Sequence, residues 1–380
     1  MFVNKTRLPH LLSPGLYSSP EQYEREISCL FEPTWHAVAS VQDVANDGDF
    51  LTIDLLGRPL IVRNFGGEIC AFLNVCTHRH CLLTHELRGT SPNLVCQYHG
   101  WVYTKDGRTS HIPDAQSFKP LPGGPERLRK FRAETRGPLV FVSLADNGPS
   151  LDDYLGPLRS ACDEFPATRW QQSDSWDYEF KANWKIPVEN TIESYHVPII
   201  HPKTLVRFGT EEQMTHEIYD RGTVMKSPIA APAFYHRLSN WLLPLLEPGC
   251  SHLYRLHHVF PNLFLIRIDA MLQVMSVIPT SAETCRLTVH VFTLRAAREG
   301  WRSKLMTSGW GRFKTWIIKK VLNEDAPLYP DLHAGMKSSP FQGTISTREE
   351  LVFAFQDYVQ KNCEMSPDIR DLQPRSGDII

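Results

Sequence analysis

Cys76-Thr77-His78 is followed, after seventeen intervening residues, by Cys96-Gln97-Tyr98-His99. Two short runs thus hold two thiols and two imidazoles. A [2Fe–2S] cluster with two thiolates on one iron and two imidazoles on the other needs this ligand set, one of each kind per loop. Zinc also accepts Cys2His2. Zinc fingers, however, usually pair Cys with Cys and His with His in each half. Here the types alternate, C-x-H and then C-x2-H, and the alternation favours the cluster.

About ninety residues on, the chain reads Glu193-Ser194-Tyr195-His196-Val197-Pro198-Ile199-Ile200-His201. Two His and a carboxylate are the material of a facial triad, a mononuclear Fe(II) site with positions left open for O2. On a helix Glu193 and His196 lie roughly 60° apart, close enough to meet, whereas His196 and His201 lie roughly 140° apart. Pro198 is expected to bend or break the helix so that His201 swings back. The third ligand is sought among downstream carboxylates. Asp325 falls on or beside the apolar stripe Trp310, Phe313, Ile317, Val321, and a buried carboxylate is costly unless paired or metal-bound. Its competitors are Asp331, read as a solvated residue of a Pro-rich turn, and Glu324 at the helix end. Asn190 and Glu189 are candidates for groups that orient ligands. Leu205, Phe208, Phe234, Tyr235, Leu263, Phe264, Met271 and Met275 are candidates for a substrate pocket.

The elements that must position these residues fall into two sets. Ser19-Pro20, with Gln22 at the capping-box position, predicts a helix start, with Tyr23, Ile27, Leu30 and Phe31 on one face and Pro33 as its end. Short β-type runs follow at 50–55, 59–62 and 68–75, with turns at 56–58 and 64–67. A hairpin is predicted at 101–104 and 108–111, and another at 128–134 and 139–144. Asp146-Asn147-Gly148-Pro149 reads as a linker. Beyond it, residues 187 to about 195 read as helix. Strands are predicted at 253–258, 263–268, 271–278 and 286–293, helices at 301–322 and 348–362, and a loose tail at 374–380. The fold class is therefore α+β: an all-β unit over 35–146, preceded by a helical segment at 1–34, then an α+β unit over 147–380 with an antiparallel sheet covered by helices.

Composition narrows the function. Forty Lys and Arg against 42 Asp and Glu give a net charge of −2, which offers no basic surplus for nucleic acid. The longest stretch without charge, 89–104, is too short and too polar to span a membrane. The N-terminus has no apolar run of signal-peptide length, and nine Cys, an odd number thinly spread, fit a reducing cytoplasm better than a disulfide framework.

Through Cys76-Thr77-His78-Arg79 and Cys96-Gln97-Tyr98-His99-Gly100-Trp101 the chain resembles the Rieske proteins. Respiratory members carry two more Cys that bridge the loops. Here Cys81 lies near the first loop but Tyr98 stands where its partner would be, so the oxygenase type is implied, with Cys81 a packed thiol. The run Asn183-Trp184-Lys185, Glu189-Asn190, Glu193-x-x-His196-x4-His201 resembles the mononuclear-iron motif of Rieske non-haem iron oxygenases, and Glu324-Asp325 matches the family's Glu-Asp. The resemblance implies a catalytic α subunit with one Rieske [2Fe–2S] cluster on Cys76, His78, Cys96 and His99. It implies one Fe(II) on His196, His201 and Asp325, and Glu193 as an electron bridge to His99 across a subunit interface. It also implies a head-to-tail homotrimer. Because the chain has no nicotinamide or flavin fingerprint, a separate NAD(P)H-dependent reductase, with or without a ferredoxin, must supply electrons. Most ring-hydroxylating members have Asp at the bridge. Glu occurs in a subset that includes oxygenases of quaternary ammonium compounds, so monooxygenation, including demethylation, is preferred over cis-dihydroxylation. Two other classes stay open: a Rieske electron carrier and a zinc-stabilised binding module.

Overall fold

In the computed structural model the described residues are 1–118, 127–205, 210, 212–229, 232–246, 253–296 and 300–363. Strands Asp49–Leu55, Arg58–Phe65 and Glu68–Leu73 form two successive hairpins. In the first turn Leu56 and Gly57 have φ of 52° and 75°, and the Gly57 N–H donates to Asp54 Oδ1 at 3.0 Å. Such paired positive φ values match the twist of the flanking strands, which is why the turn falls there. These three strands lie within a seven-stranded antiparallel sheet. Its order is Trp35–Ser40, Leu139–Ser143, Lys130–Arg136, Glu68–Leu73, Arg58–Phe65, Asp49–Leu55, Arg88–Thr90. A three-stranded sheet, Leu94–Val95, Val102–Tyr103 and Thr109–His111, stands beside it.

The second seven-stranded antiparallel sheet runs Trp170–Phe180, Thr284–Leu294, Met271–Ser281, Leu263–Ile268, Leu253–Val259, Gly222–Pro228, Thr215–Tyr219. Met271–Ser281 is buried at nearly every position because both faces are covered. Ile278 joins the core of the first sheet, while Met271, Met275 and Val277 belong to a core shared with the helices. The long helix Trp301–Asp325 packs on Thr284–Leu294 and Trp170–Phe180. It sits close there because residue 311 is glycine: a Cβ would collide with Ser173 Oγ and Thr293 Oγ1.

Several expectations are corrected. The helix at 187–195 is instead Lys185–Thr191, and the chain between it and the short helix Val197–Ile200 is irregular. Pro198 does not break a helix but sits in the first turn of one. The interruption lies upstream, where the Glu193 carboxylate accepts from the Tyr195 and His196 N–H groups and displaces the helical ladder. Asp331 is exposed, as expected, but lies on the helix Leu328–Ser338 rather than in a turn, with Pro330 tolerated in its first turn. At the N-terminus Ser19 Oγ accepts from Gln22 N–H at 3.0 Å, but the Gln22 side chain turns to Glu26 instead of closing a capping box. The buried face of that helix is Gln22 and Glu26, not Tyr23. The long helix runs three residues beyond 322. Strands Trp170–Phe180, Thr215–Tyr219 and Gly222–Pro228 and helix Ala233–Leu246 had no prediction. The tail at 374–380 and Phe208 lie outside the described residues.

Candidate active site and metal centres

Cys76 and Cys96 open two loops built alike. Each cysteine N–H donates to the carbonyl five residues on, Cys81 and Trp101, both at 2.8 Å. Each cysteine carbonyl accepts from the N–H four residues on, His80 at 3.1 Å and Gly100 at 3.0 Å. The turn needs positive φ at that fourth residue, and His80 has 60° and Gly100 71°. Gln97 ties the loops together, its N–H donating to Leu83 O at 3.0 Å and its Nε2 to Leu82 O at 3.1 Å. Both thiols are buried in a small core with Ile61, Phe72, Leu83, Trp101 and Tyr103, and Cys81 packs against it half-buried. Burial raises the pKa of Cys96, and the Cys76 thiol beside it raises it further. Tyr103 OH lies 3.0 Å from Cys76 Sγ. The His78 and His99 rings meet edge to face with centroids 4.7 Å apart, and His78 stacks on Trp101 at 4.8 Å. His78 Nδ1 is buried without a hydrogen-bond partner. Two buried thiols, two adjacent imidazoles and one orphaned ring nitrogen fit a cluster that takes two sulfur and two nitrogen ligands.

His196, His201 and Asp325 each offer a ligand atom within 4.8 Å of the others. They come from three elements: the turn before Val197–Ile200, the residue after it, and the last residue of the long helix. The two rings cross at 70° with centroids 5.3 Å apart. His196 Nε2 and His201 Nε2 stand 3.6 and 3.0 Å from Asp325 Oδ1, an oxygen that is buried and accepts no well-aligned hydrogen bond. On the far side of each ring, Nδ1 meets a carboxylate, Glu193 for His196 and Glu324 at 2.8 Å for His201. An Nδ1–H donated outward leaves the Nε2 lone pair facing inward, the tautomer a metal requires. Burial alone would lower the His201 pKa, but Asp325 and Glu324 together raise it. A group that favours positive charge at its centre, with two neutral nitrogens and a carboxylate available, fits a divalent cation.

Glu324, weighed as a ligand, lies behind His201 and also accepts from Thr204 Oγ1. Asp331 is exposed on its own helix and is not part of this group. Asn190 lines the adjoining cavity and donates to Tyr329 OH at 3.3 Å. Glu189 turns the other way, into a buried network with Tyr17 and Gln356.

The cavity measures about 170 Å3 and opens on Glu193, His196, His201 and Asp325. Of the pocket residues expected from the sequence, Leu205, Met271 and Met275 line it. Phe234 is instead exposed, and Tyr235, Leu263 and Phe264 are buried in the cores. Most of its wall is aliphatic and escaped prediction: Ile266 and Ile268 from the sheet, and Ile317, Ile318, Val321 and Leu322 from the long helix. Only the alternation of Leu263–Ile268 with Met271–Ser281 could have indicated the sheet side.

Comparison with known proteins extends the picture. The chain is 32% identical to a glycine betaine monooxygenase oxygenase subunit of Chromohalobacter salexigens over 197 residues, 52% of this chain and 44% of that one. It is 30% identical to an anthranilate 1,2-dioxygenase large subunit of Acinetobacter baylyi over 198 residues, 50% and 42% of the two chains. The match thus spans less than half the length of these relatives. In fold it is similar to the quaternary ammonium Rieske monooxygenase CntA, with a TM-score of 0.74 and 20% identity over 94% of this chain and 95% of that one. Residues 34–131 match the Rieske [2Fe-2S] domain and residues 167–365 match the ring hydroxylating alpha subunit (catalytic domain), so the chain belongs to the family of Rieske ring-hydroxylating oxygenase alpha subunits.

Proposed function

We propose that the chain is a terminal oxygenase component, with O2 as oxidant and a separate NAD(P)H-dependent reductase as electron source, directly or through a ferredoxin. It hydroxylates or demethylates a small organic substrate. The observation that carries this reading is the group His196, His201 and Asp325 at the floor of an apolar cavity, each imidazole held from behind by a carboxylate. In this reading Cys76, His78, Cys96 and His99 hold the cluster and His196, His201 and Asp325 the iron. When bound, the cluster supplies electrons one at a time and the iron supplies the site where O2 reacts. Glu193 orients His196 through Nδ1 and bridges toward the cluster of a neighbouring copy in a homotrimer. Glu324 fixes His201. Asn190 and Tyr329 hold a polar edge beside the iron site, and the aliphatic wall excludes water from the reacting carbon. We take 1–34 as an N-terminal segment, 35–146 as the cluster unit and 147–380 as the catalytic unit, working in the cytoplasm. The six described cysteines outside the cluster set are free thiols, which supports that compartment. Among the described residues no helix is long and apolar enough to cross a membrane.

Monooxygenation is preferred because Glu stands at position 193. A second reading, cis-dihydroxylation of an arene, is favoured by the cavity wall. Among the described lining residues only Tyr254 and Tyr329 are benzenoid, too few to enclose a quaternary ammonium, whereas an aliphatic slot suits a flat ring. The test is turnover with a reductase under 18O2, with products weighed. One labelled oxygen supports the first reading and two the second. Reduction of the cluster with no O2 uptake on any betaine, aromatic acid or O-methyl arene would leave an electron carrier.

A further inference from the structure

Lys314 lies on the long helix eleven residues before Asp325. Three turns separate them, about 16 Å of helix axis, with both side chains within about 20° of one face. Ile318, Val321 and Leu322 lie between them, and all five line the same cavity. The cavity therefore follows one helix face, with Asp325 toward one end and Lys314 toward the other. Among the described lining residues no other Lys or Arg occurs. The Lys314 side chain is only 4% exposed. Its Nζ donates to Tyr235 OH at 2.7 Å and lies 3.6 Å from Asp269 Oδ2, and Tyr235 OH donates to Asp269 in turn. The ammonium also sits over the Tyr235 ring at 4.9 Å and near that of Trp310 at 5.6 Å.

Burying an ion pair rarely stabilises a fold more than apolar side chains of the same size would. An apolar pair in place of Lys314 and Asp269 would pack without that penalty. A charge kept on the wall of a substrate cavity and braced by a Tyr–Asp pair instead matches ligand recognition, in which a few placed polar groups orient an apolar ligand. A cationic substrate group at that end would meet a buried ammonium of the same sign. An anionic group would gain a charge-assisted hydrogen bond in a low-dielectric pocket.

We propose that Lys314 determines specificity by binding an anionic group, most simply a carboxylate, of the substrate. The substrate class is then an organic acid whose apolar body spans the slot from the acid to the carbon that is oxidised. This rests on reading the cavity as the oxygenase's substrate site.

The test is calorimetric titration of the cluster-loaded protein with matched pairs: benzoate and benzamide, 3-phenylpropanoate and 3-phenylpropanamide, octanoate and octanamide. In low salt at least one acid should bind ten-fold or more tightly than its amide, and that margin should shrink with added salt. Lys314→Met should remove the margin while leaving amide affinity within about two-fold, and Lys314→Arg should keep part of it. Equal binding of acids and amides, no acid binding at millimolar concentration, or a margin that survives Lys314→Met would each overturn the proposal. Should the Met variant not fold, the wild-type comparison and the Arg variant decide. O2 uptake with a reductase separates the two readings. Acids that bind through Lys314 without turnover sink the oxygenase and keep the anion site, while turnover of neutral substrates with no preference for acids sinks the anion site alone.

Discussion

At the scale of single residues, the catalytic unit is organised around which ring nitrogen faces which carboxylate. His201 donates through Nδ1 to Glu324, so its Nε2 has no rotational or tautomeric choice left. Removing such a partner typically lowers metal affinity 10–100-fold. Glu324→Ala should do this for iron, measured by competition with a chelator, while the visible spectrum of the cluster is unchanged. Asp325→Ala should lose mononuclear iron outright and keep the cluster, whereas Asp331→Ala should bind both. Iron retained by the first of these and lost by the second would reverse the assignment. Glu193→Ala should keep the cluster and cut turnover at least 100-fold, read against iron content in the same sample. The two His were legible by type and spacing, but the split of labour between Glu324 and Asp325 was not. Adjacent helical residues project about 100° apart, and only the two contacts of His201, Nε2 on Asp325 and Nδ1 on Glu324, show that both directions are used.

Among the elements, the helix Lys185–Thr191 and the N-terminal helix Pro20–Glu26 are joined through a fully buried pair. Lys185 Nζ donates to Glu26 Oε1 at 2.6 Å, and Trp184 Nε1 donates to Glu26 Oε2 at 2.7 Å. Lys185→Met would leave Glu26 buried and unpaired, a loss of about 3–5 kcal/mol. Lys185→Met combined with Glu26→Leu should recover most of it in urea unfolding. A single variant as stable as the parent would show that the pair is dispensable. Gly311→Ala tests the seat of the long helix. The added methyl must push against Ser173 and Thr293, costing about 1–3 kcal/mol and displacing the helix that carries both Asp325 and Lys314. The central strands were legible from their apolar runs and the long helix from Trp310, Phe313, Ile317 and Val321, although its buried face also takes in Thr307, Lys314, Thr315 and Asp325. Glu26 was hidden because periodicity counts apolar residues, and here the buried face is polar and satisfied by a lysine 159 positions away. Trp170–Phe180 was missed for a related reason. Its pattern mixes half-buried polar residues with Trp and Tyr, and it packs against the long helix.

For the molecule as a whole, several imidazoles are held neutral at its seams. His36 joins the N-terminal segment to the first sheet, with Nε2 on Phe31 O at 2.8 Å, and burial pushes its pKa down to about 4. His258, stacked on Phe264, is pushed down to about 3 by the same cause. The unfolded chain takes up these protons near pH 6.5 and the folded chain does not. Stability should therefore be full above that pH and fall as pH drops toward 4, by on the order of 3 kcal/mol for a group like His36. Urea midpoints at pH 7.5, 6, 5 and 4.5 would measure the slope, and a flat profile would mean that water or partner groups compensate these rings. This behaviour could not be read from sixteen histidines in a sequence. It depends on which of them the second fold layer covers.

The long helix also acts as a measure of length. Because one rigid element carries both Lys314 and Asp325, the distance between an acid group held at the first and the His196–His201–Asp325 group is set by the protein and not by the ligand. Homologous acids of increasing length should then be oxidised at a constant number of carbons from the acid group. Regiochemistry in this enzyme would thus be a property of helical rise.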